Sequence, residues 1–306
     1  MNESRPIDGL LLLNKPAGLT SNRALQKVKR LLGAKKAGHT GSLDPAATGM
    51  LPLCFGEATK VSAWLLDADK IYRVTARLGE ATDTGDADGE ITATAEVPAL
   101  TAGDWEPIFA RFVGETEQVP PMYSALKQDG KRLYELARRG EVVDRPPRRI
   151  RIRWLELLEA HGRRLVFRVQ CSKGTYVRTL VEDLARTAGT IAHTASLHRE
   201  SVGDFRSADM LDLGQVEKLA AAGALRERLL PVDAALAGWP VERLRPEAAR
   251  RFVDGQAVAA GGGAGARGPV RVYADGDGFL GIGEFGPDGK LAPRRIMNVG
   301  TPQGNP

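Results

Sequence analysis

Apolar and polar positions alternate from Tyr72 to Leu78, where Tyr72, Val74, Ala76 and Leu78 are separated by Arg73, Thr75 and Arg77, the period of a half-buried strand. A second alternating stretch covers Leu165 to Cys171. The run Leu10 to Leu13 is apolar throughout and is cut at once by Asn14, Lys15, Pro16, Ala17 and Gly18, which predicts a buried strand ending in a turn. Beyond it the period changes. Leu25, Val28 and Leu32 fall at helical spacing, with Ser21 placed to cap the helix, Gly33 to stop it and the basic residues toward solvent. Val177, Leu180, Val181 and Leu184 predict another helix, ending near Gly189. Strands and helices interleave without a regular βαβ rhythm, so the fold class is α/β in the mixed, α+β sense.

A composition shift near Gly238 to Pro240 divides the chain into residues 1–240 and 241–306. In the second part, Val270 to Tyr273, a DGDG turn at Asp275 to Gly278 and Phe279 to Phe285 predict a β-hairpin, followed by a further turn at Asp288 and Gly289. Ala260 to Gly265 reads as a glycine-rich loop or disordered insert. In the first part, Thr82 to Gly89, rich in Asp and Gly, reads as a mobile loop.

With 306 residues, 42% hydrophobic and 26% charged, the composition is that of a soluble globular protein. No apolar run approaches a membrane span, and the first residues lack the basic and apolar regions of a secretory signal, so a cytoplasmic protein is expected. Cys54 and Cys171 stand alone and read as core residues of a reducing compartment; four histidines, His39, His161, His193 and His198, form no ligand pattern, so no metal is expected. The formal charge is +5 with a pI near 9.3. Lys27, Lys29, Arg30, Lys35 and Lys36 form one basic cluster, and Arg145, Arg148, Arg149, Arg151 and Arg153 another. They bracket one loop of unusual composition, which favours a polyanionic partner over plain solvated surface.

That loop, GHTGSLDP at Gly38 to Pro45, continues through Ala46, Ala47, Thr48 and Gly49. It places one carboxylate, Asp44, between a glycine-flanked histidine, His39, and a proline that bars the αR conformation to the aspartate. The carboxylate is therefore expected to be held. GAKKAGHT at Gly33 to Thr40 has the glycine spacing of a phosphate-binding loop but has His39 where the lysine belongs, which disfavours nucleotide hydrolysis.

GHTGSLDPAATG resembles the catalytic loop of the TruB family of tRNA pseudouridine synthases. GLLLLNKPAGLTS at Gly9 to Ser21, the spaced Lys70, Tyr72 and Val74, QVPPMYSALK at Gln118 to Lys127, GTYVRTL at Gly174 to Leu180 and SLHRESVGDF at Ser196 to Phe205 are similar to further family blocks, in the same order. The resemblance, to bacterial members, implies a largely antiparallel central sheet and a C-terminal PUA-like RNA-binding module over 241–306. It further implies isomerisation of the uridine at position 55 of the tRNA T loop by a monomer acting on the T stem-loop without cofactor or obligate protein partner.

It makes Asp44 the catalytic residue and Arg178 its adjacent cation, holding the carboxylate in a two-pronged geometry. Tyr72 stacks on the uracil, Tyr176 and Leu197 line the same pocket, and His39 contacts the RNA. Lys15, Lys127 and Arg199 are read either as phosphate contacts or as solvated charges. Attack by Asp44 at C1′ or at C6, and its action as a base on the ribose, all fit the residue type. A purely RNA-binding or RNA-folding protein would need the basic clusters but not Asp44 with Arg178. A glycosidase would need a second carboxylate, for which the sequence offers no evident candidate.

Overall fold

The strands predicted at Leu10–Leu13, Tyr72–Leu78 and Leu165–Cys171 join six others in one nine-stranded sheet in the computed structural model of the chain, which describes residues 6–128, 130–261, 268–276 and 278–298. They are β1 (Gly9–Lys15), β2 (Ala37–His39), β3 (Thr48–Phe55), β4 (Lys70–Leu78), β5 (Gly114–Gln118), β6 (Arg148–His161), β7 (Arg164–Cys171), β8 (Ala192–Val202) and β9 (Leu211–Asp212). The order is β9-β1-β3-β8-β4-β7-β6-β5, with β2 paired to β3. Neighbours are antiparallel except β1 with β9 and β3 with β8. This is the mixed, largely antiparallel sheet that was expected.

Alternation decides which side of each strand is covered. Tyr72, Val74, Ala76 and Leu78 of β4 point inward while Arg73 and Arg77 are exposed. Against that inward face pack Leu165, Phe167 and Val169 of β7, and helices close over it. Helix α1 (Ser21–Leu32) lays Ala24, Leu25 and Val28 on Leu11, Leu13, Leu51 and Leu53. Helix α2 (Ala102–Ala110) contributes Trp105 and Phe109 to the β4 core, and helix α3 (Val177–Thr187) contributes Leu180, Val181 and Leu184. Burying such side chains is worth about 1.5–3 kcal/mol each.

The start of α1 corrects one expectation. Thr20, not Ser21, is the cap: its hydroxyl accepts from Arg23 N at 3.2 Å, and Ser21 is the first helical residue, with its hydroxyl free for another task. Gly33 ends the helix as expected, in the left-handed conformation at φ 66°.

After Trp239 a second sheet of four strands forms from β10 (Val241–Leu244), β11 (Pro269–Ala274), β12 (Phe279–Phe285) and β13 (Leu291–Ile296), in that order. β11 and β12 make the predicted hairpin. Asp277 of its turn lies outside the described residues, as do residues 262–267, which include most of the glycine-rich stretch. Leu244, Phe252, Val270, Val272 and Leu291 give this sheet its own core. It also shares one with the larger body, where Phe279, Ile282 and Met297 meet Leu10, Met50, Val202 and Leu236. Lys60 Nζ donates to the Ile296 carbonyl at 2.9 Å and Asn298 N donates to Glu57 at 2.7 Å across the same junction. No helix among the described residues is long and apolar enough to cross a membrane.

Candidate active site

Asp44 stands on the crossing from β2 to β3, where Thr40, Gly41, Leu43 and Pro45 are each tied to other parts of the fold. Gly41 O accepts from Arg199 Nη2 at 3.0 Å. Leu43 N donates to the Ser21 hydroxyl at 2.8 Å, and that hydroxyl donates back to Leu43 O at 3.0 Å. Pro45 O accepts from Gly18 N at 2.9 Å and from Lys15 Nζ at 3.1 Å. Ala47 N closes a turn onto Asp44 O at 3.1 Å. Pro45 supplies the fixed φ that this turn uses at its second position. The aspartate is thus held by its backbone, independently of what its carboxylate touches.

Two of the basic residues read as phosphate contacts belong to this scaffold instead. Lys15 is fully buried, and its ammonium donates to Pro16 O, Leu19 O and Pro45 O at 2.8, 2.7 and 3.1 Å, which uses all three of its protons. Burial outweighs the nearby Asp44 and brings its pKa down to about 8. Arg199 is 1% exposed and donates to Met50 O at 2.6 Å as well as to Gly41. Neither side chain reaches solvent, so neither is available to a phosphate.

Arg178 lies in the first turn of α3 with only 6% of its side chain exposed, and its Nε sits 3.1 Å from Asp44 Oδ2. The contact is not the expected two-pronged fork. Nη1 donates to Thr84 O at 2.7 Å and Nη2 to Tyr123 O at 2.7 Å, so both ends of the guanidinium are fixed by carbonyls. Nη1 also pairs with Asp86 Oδ2 at 3.4 Å. The cation is positioned by three other groups and Asp44 meets it from the open side, keeping 43% of its side-chain surface. Burial raises the Asp44 pKa above the usual carboxylate range, Arg178 opposes that rise, and Asp86 and Asp88 reinforce it.

A second carboxylate therefore does stand beside the site. Asp86 Oδ1 accepts from the Thr84 hydroxyl at 2.6 Å and from Asp88 N at 3.2 Å while Oδ2 faces Arg178. Each of these partners donates to it, whereas the general acid of a glycosidase must itself donate to the leaving group.

Asp44, Asp86 and Arg178 line one narrow cleft with Ala46, Ala47 and Leu197. Leu197 lies on β8 between two bulges, which turn this strand at the cleft. Tyr72, on β4, is 9% exposed, and burial foremost pushes its phenol pKa up. Tyr176 is half-buried just before α3, held by Gln118, whose Oε1 accepts from Tyr176 N at 2.8 Å and whose Nε2 donates to Tyr176 O at 3.1 Å. Both rings are near enough for the Asp44 charge to raise their pKa values further.

His39 is on the short strand β2 and not on a loop as its glycine neighbours suggested. It is half-buried, its Nδ1 has no hydrogen-bond partner, and burial followed by Arg199 lowers its pKa, so the ring is neutral near pH 7. Lys127 is exposed on a small hairpin with Lys131 and Arg132 and does not line the cleft. Sequence reading missed Thr84, Asp86, Gln118 and Tyr123. The acidic run from Asp83 to Asp88 and the block Gln118 to Lys127 were the available signals.

Three family models match in series. They are the N-terminal domain of the TruB family pseudouridylate synthases over residues 29–177, a tRNA pseudouridylate synthase B C-terminal domain over 178–237, and the C-terminal region of pseudouridine synthase II TruB over 240–297. The tRNA pseudouridine synthase B of Ectopseudomonas mendocina (strain ymp) is 51% identical over 302 residues, 97% of each chain. That of Dechloromonas aromatica (strain RCB) is 49% identical, over 96% of this chain and 97% of its own.

Among solved structures, a Cbf5-Nop10-Gar1 complex aligns with TM-score 0.70 and 27% identity, over 92% of this chain and 81% of that one. An H/ACA RNP bound to a substrate RNA containing 2'-deoxyuridine shares the fold at TM-score 0.72 and 23% identity, over 96% and 88% of the two chains. The class this fold and site define is the pseudouridylate synthases. Within it, the chain belongs to the TruB family.

Proposed function

We propose that the protein is a tRNA pseudouridine synthase that isomerises the uridine at position 55 of the T loop, with Asp44 as the catalytic residue. The observation that carries this reading is a carboxylate fixed by its backbone at the mouth of a cleft, backed by a buried guanidinium that is itself fixed by carbonyls. In the reaction the bond from C1′ to N1 breaks, the uracil turns, C5 joins C1′, and the C5 proton is lost as N1 gains one; atoms and electrons balance without an added group. An ionised Asp44 beside the sugar serves this chemistry, and Arg178 favours the ionised form.

The flipped base enters this narrow cleft, between Asp44, Arg178 and Leu197. Unstacking the base costs about a few kcal/mol, which stacking on Tyr72 offsets. Tyr176 and Leu197 bound the base, and neutral His39 and exposed Lys127 contact the RNA. The small sheet is taken as the RNA-binding module of the 241–306 segment, supported by exposed Arg245, Arg250, Arg251, Arg294 and Arg295. The protein is read as acting as a monomer in the cytoplasm, where tRNA is its substrate.

The test is a T-arm transcript offered to Asp44→Asn. Pseudouridine formation is expected to vanish while RNA affinity stays within a small factor of the unaltered protein; full turnover by the variant would sink the mechanism. Mapping pseudouridine in tRNA from cells with and without the protein checks the position.

A further inference from the structure

The Asp44 loop enters β3 at Thr48, and there it meets a histidine that the reaction does not use. Thr48 Oγ1 lies 2.8 Å from His198 Nδ1. The two residues face each other in a very short parallel pairing, His198 opposite Thr48 and Arg199 opposite Gly49. The second rung cannot slide. Gly49 has φ +100°, and a Cβ there would stand 2.3 Å from the Arg199 carbonyl. Upstream, the loop is tied at Gly41, Leu43 and Pro45; after the turn at Ala47, the Thr48 side chain is its next lateral attachment.

The neighbour of His198 on β8 is Leu197, which forms part of the wall of the Asp44 cleft. Successive side chains of a strand point to opposite sides. His198 and Thr48 accordingly line a different, open cleft, with Asn14, Pro16, Asp212 and Gly214. One strand therefore lines the candidate base pocket with Thr194, Ala195, Ser196 and Leu197 and grips the catalytic loop with the next residue, His198.

We propose that His198 is a positioning residue: through Thr48 it holds the exit of the Asp44 loop in register with Leu197, and so fixes the separation between the carboxylate and the apolar wall. The inference rests on the reading of Asp44 given above. A displacement of about 1 Å at a reacting group costs on the order of a hundredfold in rate, so a single hydrogen bond at the loop exit has leverage on chemistry out of proportion to its effect on stability. His198 is half-buried, and burial first of all lowers its pKa, which keeps the ring neutral and leaves Nδ1 free to accept from the hydroxyl or, as the other tautomer, to donate to it.

The test uses the full chain with four variants, His198→Leu, His198→Asn, Thr48→Val and Thr48→Ser, and the double variant of His198→Leu with Thr48→Val. Single-turnover rates on T-arm RNA at saturation are expected to fall about tenfold in His198→Leu and in Thr48→Val, with Kd within about twofold of the unaltered protein. The double variant is expected to be no slower than either single, because both remove one interaction. His198→Asn and Thr48→Ser, which keep a polar partner in place, are expected to recover most of the rate.

Without RNA, amide exchange at Ala47, Thr48 and Gly49 is expected to rise about tenfold in the Leu and Val variants. Unchanged rates and unchanged exchange in folded variants overturn the proposal, as does additive slowing in the double variant or an effect confined to Kd. Should His198→Leu fail to fold, the Val, Ser and Asn variants decide. Should the unaltered protein form no pseudouridine, the reading of Asp44 falls, and the exchange measurement still decides the tether.

Discussion

Arg178 is the one cation paired with Asp44 among the described residues, while Asp86 and Asp88 add to the cost of its charge. Burial first, and then Asp86 and Asp88, raise the Asp44 pKa against the pull of Arg178, and two outcomes follow. The acid limb of the single-turnover rate is expected above the range of an ordinary aspartate, and Arg178→Met is expected to move it higher still; pH–rate profiles of the two proteins check this. The stability effect has the opposite sense from that of a salt-bridged aspartate. A folded pKa above the unfolded one contributes stability that is present at low pH and is lost as pH rises through the folded value. Asp44→Asn is therefore expected to melt at neutral pH no lower than the unaltered protein, although it is inactive. Lys15 separates scaffold from substrate contact. Lys15→Met strips the donor from Pro16 O and Leu19 O and one of two donors from Pro45 O, and is expected to cost about 2–4 kcal/mol in urea unfolding. The salt dependence of RNA binding is expected to stay unchanged, whereas losing a phosphate contact would lower its slope by about one.

At the scale of elements, the β3–β8 pairing joins the two halves of the large sheet through two residue pairs. Gly49→Ala places a methyl against the Arg199 backbone at a positive φ, and is expected to destabilise by more than about 3 kcal/mol or to abolish folding, as read by urea titration. The elements themselves were legible wherever pattern decided them: β4, β7, α1 and α3 follow from spacing because their inward faces are continuous, and β1 from an unbroken apolar run. β2 was not legible, since three residues, Ala37 to His39, are too few to show a period. Lys15 misled because a lysine in an Asn-Lys-Pro turn reads as solvated, and the carbonyls that bury it come from Leu19 and Pro45 as well as its own neighbour. Asp44 and Arg178 were recognised as a pair through a resemblance, not through spacing. The rest of the cation's environment, Thr84 and Tyr123, reaches it over 94 and 55 residues of chain, a separation at which local pattern carries no signal.

The whole molecule carries its excess positive charge on exposed side chains, Lys35, Lys36, Arg148, Arg149, Arg151 and Arg153 on the larger body and Arg250, Arg251, Arg294 and Arg295 on the smaller. Affinity for tRNA is expected to fall steeply as salt rises, and a flat response in a titration across salt concentrations would contradict a basic RNA surface. The two bodies share buried side chains, so Ile282→Ala is expected to cost about 2–5 kcal/mol and to lower one common unfolding transition rather than split it in two, a result that calorimetry reads directly. The fastening of the Asp44 loop has a further consequence for genetics. Lys15, Ser21, Gly49 and Arg199 belong to β1, α1, β3 and β8, and none of them lines the cleft. A screen for inactive alleles should therefore recover substitutions scattered over the primary sequence, and the map of lost function will trace the moorings of one carboxylate instead of the outline of a pocket.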